Sequence, residues 1–136
     1  MGGRASKAKG SSGERAVRRH LTMNGWLIAD KETSGLAGDD IFARDPSGKW
    51  WSVEVKHVKC LTPAHMEQAI SQARIRSRAV SDSPANSIAH ALGITHDPNA
   101  WILVWKPSGF RNASQMLAVR GHGRRTVFEL WDCADL

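Results

Sequence analysis

The segment from Asp40 to Lys56 constrains the fold most, because its pattern predicts a β-hairpin. Residues 40–44 and 50–56 are rich in the branched and aromatic side chains that favour strands. Residues 45–48 between them read Asp-Pro-Ser-Gly, a sequence typical of a tight turn. Two neighbouring antiparallel strands are therefore expected over these residues.

Helices and further strands are predicted on both sides of this hairpin. Ser11 and Glu14 have capping-box spacing and would begin a helix that ends at Asn24-Gly25. Pro63 suits the first turn of a second helix over residues 63–80. The other expected elements are strands over residues 26–29, 100–105 and 125–131, a further possible strand over 116–120, and a short helix over 87–92. This order indicates an α/β fold in which a mixed sheet is flanked by helices.

The chain length fits one compact unit. Its 136 residues suffice for a single core. Residues 1–10 lack hydrophobic periodicity and are expected to form a flexible basic N-terminal arm, which leaves residues 11–136 as a single domain. No apolar run reaches membrane-spanning length, and no apolar stretch follows the basic start as in a secretion signal. With only two cysteines, Cys60 and Cys133, in no metal-binding spacing, a cytoplasmic protein with reduced thiols is expected.

The charge predicts a polyanionic partner. The formal net charge is +6 at pH 7, and the sequence pI is about 9.9, which favours nucleic acid before a membrane surface. The basic residues fall in groups. These are Arg4, Lys7 and Lys9 in the arm, Arg15, Arg18 and Arg19 in the first helix, Arg74, Arg76 and Arg78 in the second, and Arg120, Arg124 and Arg125 near the end.

Three charged residues of the hairpin have the chemistry of a metal-dependent hydrolase. Side chains alternate along a strand, so Glu54 and Lys56 share one face while Val55 points to the other. A hairpin of this length brings Asp40 beside the end of the second arm. Asp40, Glu54 and the Val55 carbonyl would then offer Mg²⁺ the hard oxygen ligands that it prefers, and the cation would relieve carboxylate repulsion. The Lys56 ammonium supplies a point charge for a phosphate or a water molecule.

Each of these features also has a plain structural interpretation. Glu-x-Lys is common on solvated strand faces, and paired aspartates before a strand often serve as turns or caps. As the third residue of a capping box, Glu14 would simply accept a hydrogen bond from the Ser11 amide. A basic DNA-binding protein without catalytic activity therefore stays an alternative.

Together the motifs resemble a known family. Glu14 in a first helix, Gly38-Asp39-Asp40-Ile41, Val53-Glu54-Val55-Lys56 and a following helix with Gln68 resemble the PD-(D/E)XK nuclease superfamily. They are most similar to the archaeal-type and phage Holliday junction resolvases, over residues 9–75. The resemblance implies a restriction-endonuclease-like mixed sheet of about five strands, a homodimer, and cleavage of DNA with Mg²⁺, for which Mn²⁺ can substitute. A phage-encoded protein would act in the host cytoplasm.

The resemblance also implies a role for each matching residue. Asp40, Glu54 and the Val55 carbonyl would be metal ligands, and Lys56 the catalytic lysine. Glu14 would be the helix acid that supports the metal site, and Gln68 an accessory polar group.

One departure from the family pattern leaves a choice between two aspartates. The family has a proline before its aspartate, whereas this chain has Asp39, so that Asp39 is the alternative metal ligand to Asp40. The expected substrate is a four-way junction or other branched DNA, with a flap, nicking or restriction-type nuclease of the same superfamily as the alternative. The residues expected to contact DNA are Arg4, Lys7, Lys9, Arg15, Ser34, Arg74 and Arg78.

Overall fold

The computed structural model describes residues 2–29, 40–106 and 115–132, including side chains from residue 13 onwards except those of Ile88 and Asp132. Within these ranges the chain forms one sheet and three helices. The strands are β1 (Leu27–Ile28), β2 (Ile41–Arg44), β3 (Trp50–Lys56), β4 (Ala100–Trp105), β5 (Gln115–His122) and β6 (Arg125–Asp132). The helices are α1 (Gly2–Met23), α2 (Pro63–Ser81) and α3 (Ile88–Ala91).

The six strands lie side by side in chain order. β3 and β4 run parallel and are connected through α2, whereas the other four neighbouring pairs run antiparallel. The predicted α/β fold with a mixed sheet flanked by helices is therefore confirmed, with six strands where about five were expected. The difference arises at the C-terminal end, where the further strand expected over 116–120 is present, extends over Gln115–His122 as β5, and pairs with β6 along its length.

The sheet separates two layers of core. On one face, Val53 and Ile102 pack with Val17 of α1. On the other face, Leu103 packs with Ala73 of α2. Alternation along β3 and β4 produces this division, because successive side chains point to opposite faces. Each large aliphatic side chain that is fully buried contributes about 1.5–3 kcal/mol, so both helices are held by their apolar stripes.

Helix α1 begins earlier than predicted. It starts at Gly2, so the expected start at Ser11 is wrong, and the backbone of residues 2–10, expected to be an arm, is helical. Residues 5–9 are mostly alanine and lysine, which favour helix without any cap at Ser11. The predicted end is confirmed, since Gly25 follows the helix with a φ of 83°, a conformation that glycine adopts without strain.

The hairpin between β2 and β3 is confirmed, and one carboxylate organises its turn. Oδ1 of Asp45 accepts hydrogen bonds from the Ser47 amide (2.9 Å), the Ser47 hydroxyl (2.6 Å) and the Lys49 amide (3.0 Å). Oδ2 accepts one from Nε1 of Trp51 (2.9 Å). Burial works to raise the pKa of Asp45, but these hydrogen bonds together lower it below its ordinary value. The turn thus fixes the register that aligns the two arms.

Candidate functional site

Asp40 is anchored to the end of β3. It lies directly before β2, and its Oδ2 accepts a hydrogen bond of 2.7 Å from the Val55 amide. The register of the hairpin pairs Ile41 with Val53, so that the Val55 amide lies just beyond the backbone ladder of this pair. A side-chain carboxylate therefore takes the place of a backbone acceptor and is held against the neighbouring strand.

Glu54 lies on the strand beside Asp40. Continuing the register by one residue sets Asp40 opposite Glu54, because Ile41 is the partner of Val53. Directly opposite residues in an antiparallel pair have Cβ atoms about 4.5–5.5 Å apart, close enough for two carboxylates to reach one cation. Glu54 is also the partner of Leu103 on β4, on the face that α2 covers. It is only 3% exposed, so this acid is buried beneath α2.

Lys56 follows on the same face of β3. It is half-buried, two residues beyond Glu54, and its partner in β4 is Trp105. One pleat of a strand separates side chains on the same face by about 6.6 Å. Within the described ranges, no hydrogen bond or ion pair involves the Lys56 ammonium. A cation is thus available near the two acids.

Glu14 is connected to Asp40 by the side chain of Arg18. Its Oε1 accepts hydrogen bonds from Nε (3.2 Å) and Nη2 (3.0 Å) of Arg18, one helical turn along α1. Nη2 also donates to the backbone carbonyl of Asp40 at 3.4 Å. Gly13 lies at this approach, where an added Cβ would be in van der Waals contact with Cγ1 of Val55 at 3.4 Å. The expected helix acid therefore lies beside the site as a partner of Arg18, and not as a cap for Ser11.

Several expected residues lie apart from the carboxylates or outside the described part. Gln68 is exposed on α2, and no described contact joins it to Asp40 or Glu54. Among the expected DNA contacts, Arg15, Arg74 and Arg78 are exposed. The side chains of Arg4, Lys7 and Lys9 lie outside the described residues, as do Ser34 and Asp39 altogether.

Two arginines were counted in the sequence only as basic residues, and their positions near the candidate site were not predicted. Arg18 follows Glu14 at the i,i+4 spacing of a helical ion pair, which was a readable signal. Arg76 is 2% exposed, and its guanidinium carbon lies 4.7 Å from the centre of the Phe42 ring. Its position three residues after the buried Ala73 marks the inner face of α2, and Phe42 shares the face on which Glu54 lies.

Two of the arginines near the C-terminal end form ion pairs within the protein. Arg120 makes an ion pair of 2.8 Å with Glu129, and its guanidinium lies over the rings of Trp26 and Trp51. Arg124 is paired at 3.2 Å with a glutamate of α2. The exposed arginines of α1 and α2 are therefore better placed than Arg120 to meet a polyanion, whereas Arg124 is exposed at the surface.

The expected metal ligands form a small set of hard donors. In the described ranges, no group of three or more His, Cys, Asp or Glu residues could hold a metal ion. The expected set has two carboxylates, from Asp40 and Glu54, and the Val55 carbonyl. This donor chemistry fits Mg²⁺ or Mn²⁺, since Mg²⁺ is commonly bound through one or two carboxylates and keeps several waters.

Comparisons with known proteins add no relative. No protein-family model, curated protein or solved structure matches the chain. The described helices include none that is both long and apolar enough to cross a membrane. The resemblance to the PD-(D/E)XK superfamily thus stays a prediction from the motifs.

Proposed function

We propose that this protein is a Mg²⁺-dependent, structure-selective endodeoxyribonuclease that hydrolyses DNA phosphodiesters at branch points, as a Holliday junction resolvase does. One observation carries the proposal. The Asp40 carboxylate is bonded to the Val55 amide at the end of β3, opposite the buried Glu54, with Lys56 one pleat further on.

Each residue has a chemical role in this proposal. Asp40, Glu54 and the Val55 carbonyl would hold Mg²⁺, or Mn²⁺ in its place. The bound metal would supply Lewis-acid chemistry, activating water and neutralising charge on the phosphate. Lys56 would orient the attacking water or a phosphate oxygen with its ammonium. Glu14 would support the site from α1.

The exposed arginines account for DNA affinity without sequence reading. Arg15 on α1 and Arg74 and Arg78 on α2 are exposed, and the last two are one helical turn apart. Such residues neutralise phosphates, which fixes the position of a protein on DNA but carries no sequence information. The preference for branched DNA, the accessory role of Gln68 and the homodimer belong to the same proposal and derive from the resemblance.

Cleavage of matched substrates tests the proposal. A four-way junction and a linear duplex of the same sequence are incubated with Mg²⁺ and the wild type, Glu54→Gln or Glu67→Gln. Glu67 is a matched control because it is an exposed α2 carboxylate whose partner is Arg124. We expect Glu54→Gln to reduce cleavage about a hundredfold or more, since several kcal/mol of transition-state stabilisation depend on the metal. Glu67→Gln should cleave as the wild type does.

The pattern of products separates the alternatives. Symmetric nicks across the branch point support a resolvase. Cutting of the linear duplex alone would instead indicate a restriction-type or nicking nuclease. If the wild type binds DNA but Mg²⁺ and Mn²⁺ produce no cleavage, and Glu54→Gln binds equally well, the protein is a DNA-binding protein without nuclease activity.

Metal binding can be measured without DNA. A metal that binds only the folded protein raises its melting temperature according to its concentration and dissociation constant. We expect Mg²⁺ and Mn²⁺ to raise the melting temperature of the wild type more than that of Asp40→Asn. Equal shifts would show that the metal does not bind at Asp40.

A further inference from the structure

Arg18 lies at the edge of the candidate site with part of its guanidinium unused. Nε and Nη2 are occupied by Glu14, and Nη2 also reaches the Asp40 carbonyl at 3.4 Å. Among the described residues, Nη1 donates no hydrogen bond. The side chain is 41% exposed, so a ligand can approach it from solvent.

The Arg18 guanidinium has the charge and the hydrogen-bond donors that suit a phosphate ligand. A guanidinium stays charged at any physiological pH, and the N–H groups of Nη1 remain to donate charge-assisted hydrogen bonds to phosphate oxygens. Glu14 holds one edge of the guanidinium and thereby fixes its orientation on α1. A phosphate bound at the remaining edge would lie next to Asp40, the residue expected to hold the metal.

We propose that Arg18 binds a backbone phosphate of the DNA strand that is cut, with Glu14 orienting its guanidinium. This proposal rests on the proposed nuclease function and adds a contact that positions the strand beside the carboxylates. A structural role is the competing explanation, because Glu14 and Arg18 form an i,i+4 pair of the kind that stabilises helices slightly.

Salt dependence of DNA binding distinguishes a phosphate contact from a general loss of charge. Binding to a four-way junction is measured in EDTA, which prevents cleavage, for the wild type, Arg18→Gln and Arg124→Gln. Arg124 is the matched control, since it carries the same charge, is 82% exposed and lies in the turn between β5 and β6. Circular dichroism checks that all three proteins are folded, and Arg18→Met, which also removes the charge but keeps a long side chain, replaces Arg18→Gln if that variant is not.

A phosphate contact has a quantitative signature. We expect Arg18→Gln to weaken binding about tenfold at low salt, the loss of one charge-assisted hydrogen-bonded contact. The slope of log K against log salt should decrease in magnitude by about 0.9 per bound protomer, the value for one neutralised phosphate. Arg124→Gln should keep the wild-type slope. In cleavage assays with Mg²⁺, Arg18→Gln should raise KM with little change in kcat.

The outcomes separate this inference from the proposed function. Equal slopes for Arg18→Gln and Arg124→Gln would overturn the phosphate contact, even if the wild type cleaves DNA. A reduced slope for Arg18→Gln alone would support the contact. If that result came with no cleavage by the wild type under Mg²⁺ or Mn²⁺, the nuclease proposal would fail while the DNA contact stood.

Discussion

Gly121 is the position where one added methyl group should damage the fold most. It is the β5 partner of Trp101 on β4, and an ideal Cβ on Gly121 would overlap Cε2 and Cζ2 of the Trp101 ring. Trp101 is fully buried against α2, and its Nε1 donates a hydrogen bond of 2.8 Å to the Gly123 carbonyl. Gly121→Ala therefore forces either the strands apart or the indole out of the core.

The loss of stability in Gly121→Ala is set by whichever of these two structural responses costs less free energy. Moving the ring out of the core would lose about 150–250 Å² of aromatic burial at about 25 cal/mol per Å², or about 4–6 kcal/mol, and its hydrogen bond, about 1 kcal/mol. Keeping the ring in place and shifting the backbone costs about 1–3 kcal/mol, as in other overpacked cores. We therefore expect Gly121→Ala to lower the free energy of unfolding by about 1–3 kcal/mol, a substantial part of the total of about 5–15 kcal/mol for a typical domain.

Gly13→Ala is the matched comparison, and we expect it to raise the free energy of unfolding where Gly121→Ala lowers it. A Cβ on Gly13 would lie 3.4 Å from Cγ1 of Val55 and 3.6 Å from Cβ of His57, which are contacts that small shifts can relieve. Alanine is favoured over glycine inside a helix by about 1 kcal/mol. The free energy of unfolding of Gly13→Ala should therefore exceed that of the wild type by about 0–1 kcal/mol.

Urea unfolding measures both changes. Tryptophan fluorescence and far-UV circular dichroism should give coincident transitions for each variant, with an unchanged m-value. If Gly121→Ala unfolds within about 0.5 kcal/mol of the wild type, the packing of Trp101 on Gly121 is not as described. If Gly13→Ala loses as much as Gly121→Ala, the two sites do not differ in free space.

Two further predictions concern the turn and the start of α2. Asp45→Asn should destabilise the protein at neutral pH, because asparagine has one acceptor oxygen and no charge. It cannot accept hydrogen bonds both from the turn at the Oδ1 position and from Trp51 at the Oδ2 position. The pKa of Asp45 is lowered from 3.8, so its stabilisation is present above that value and is lost as the pH falls through the folded-state pKa. Urea midpoints of the wild type and Asp45→Asn should therefore converge in acid. His65→Ala should cost about 1 kcal/mol, since Nδ1 of His65 accepts the Thr62 amide (3.0 Å) at the start of α2, whereas His65→Gln should restore much of it. An unchanged midpoint for His65→Ala would show that the cap contributes nothing.

Local patterns in the sequence were sufficient to predict most elements. β3 and β4 have the predicted bounds, and α2 extends one residue beyond its predicted end. Alternation, the turn at Asp45 and the proline at position 63 all act within a few residues, which is why the sequence reveals them. The parallel pairing of β3 with β4 was not predicted, because it depends on contacts between segments far apart in the chain. The start of α1 was wrong because helix propensity in residues 5–9 outweighed the capping signal at Ser11.

The candidate site was likewise predicted from the sequence only in part. The hairpin pattern predicted that Asp40 lies beside the end of the second arm, and its hydrogen bond to the Val55 amide agrees, although Asp40 itself lies just before β2. The burial of Glu54 and the inward position of Arg76 could not be predicted from the hairpin, since both depend on how α2 packs across β3 and β4. The link from Glu14 through Arg18 to Asp40 depends on the close approach of α1 at Gly13, which again is a tertiary property.

The formal charges near the site bear on how metal and DNA would bind together. Asp40, Glu54 and Glu14 contribute three negative charges. Lys56, Arg18 and Arg76, which packs on the face of the sheet where Glu54 lies, contribute three positive ones, so these six groups sum to zero. A divalent cation added to this set brings an excess of positive charge, which a DNA phosphate would offset. Metal binding and DNA binding should therefore strengthen each other, and by linkage the factor is the same in both directions. For the proposed nuclease, this arrangement favours assembly of the metal site on bound substrate over assembly in its absence.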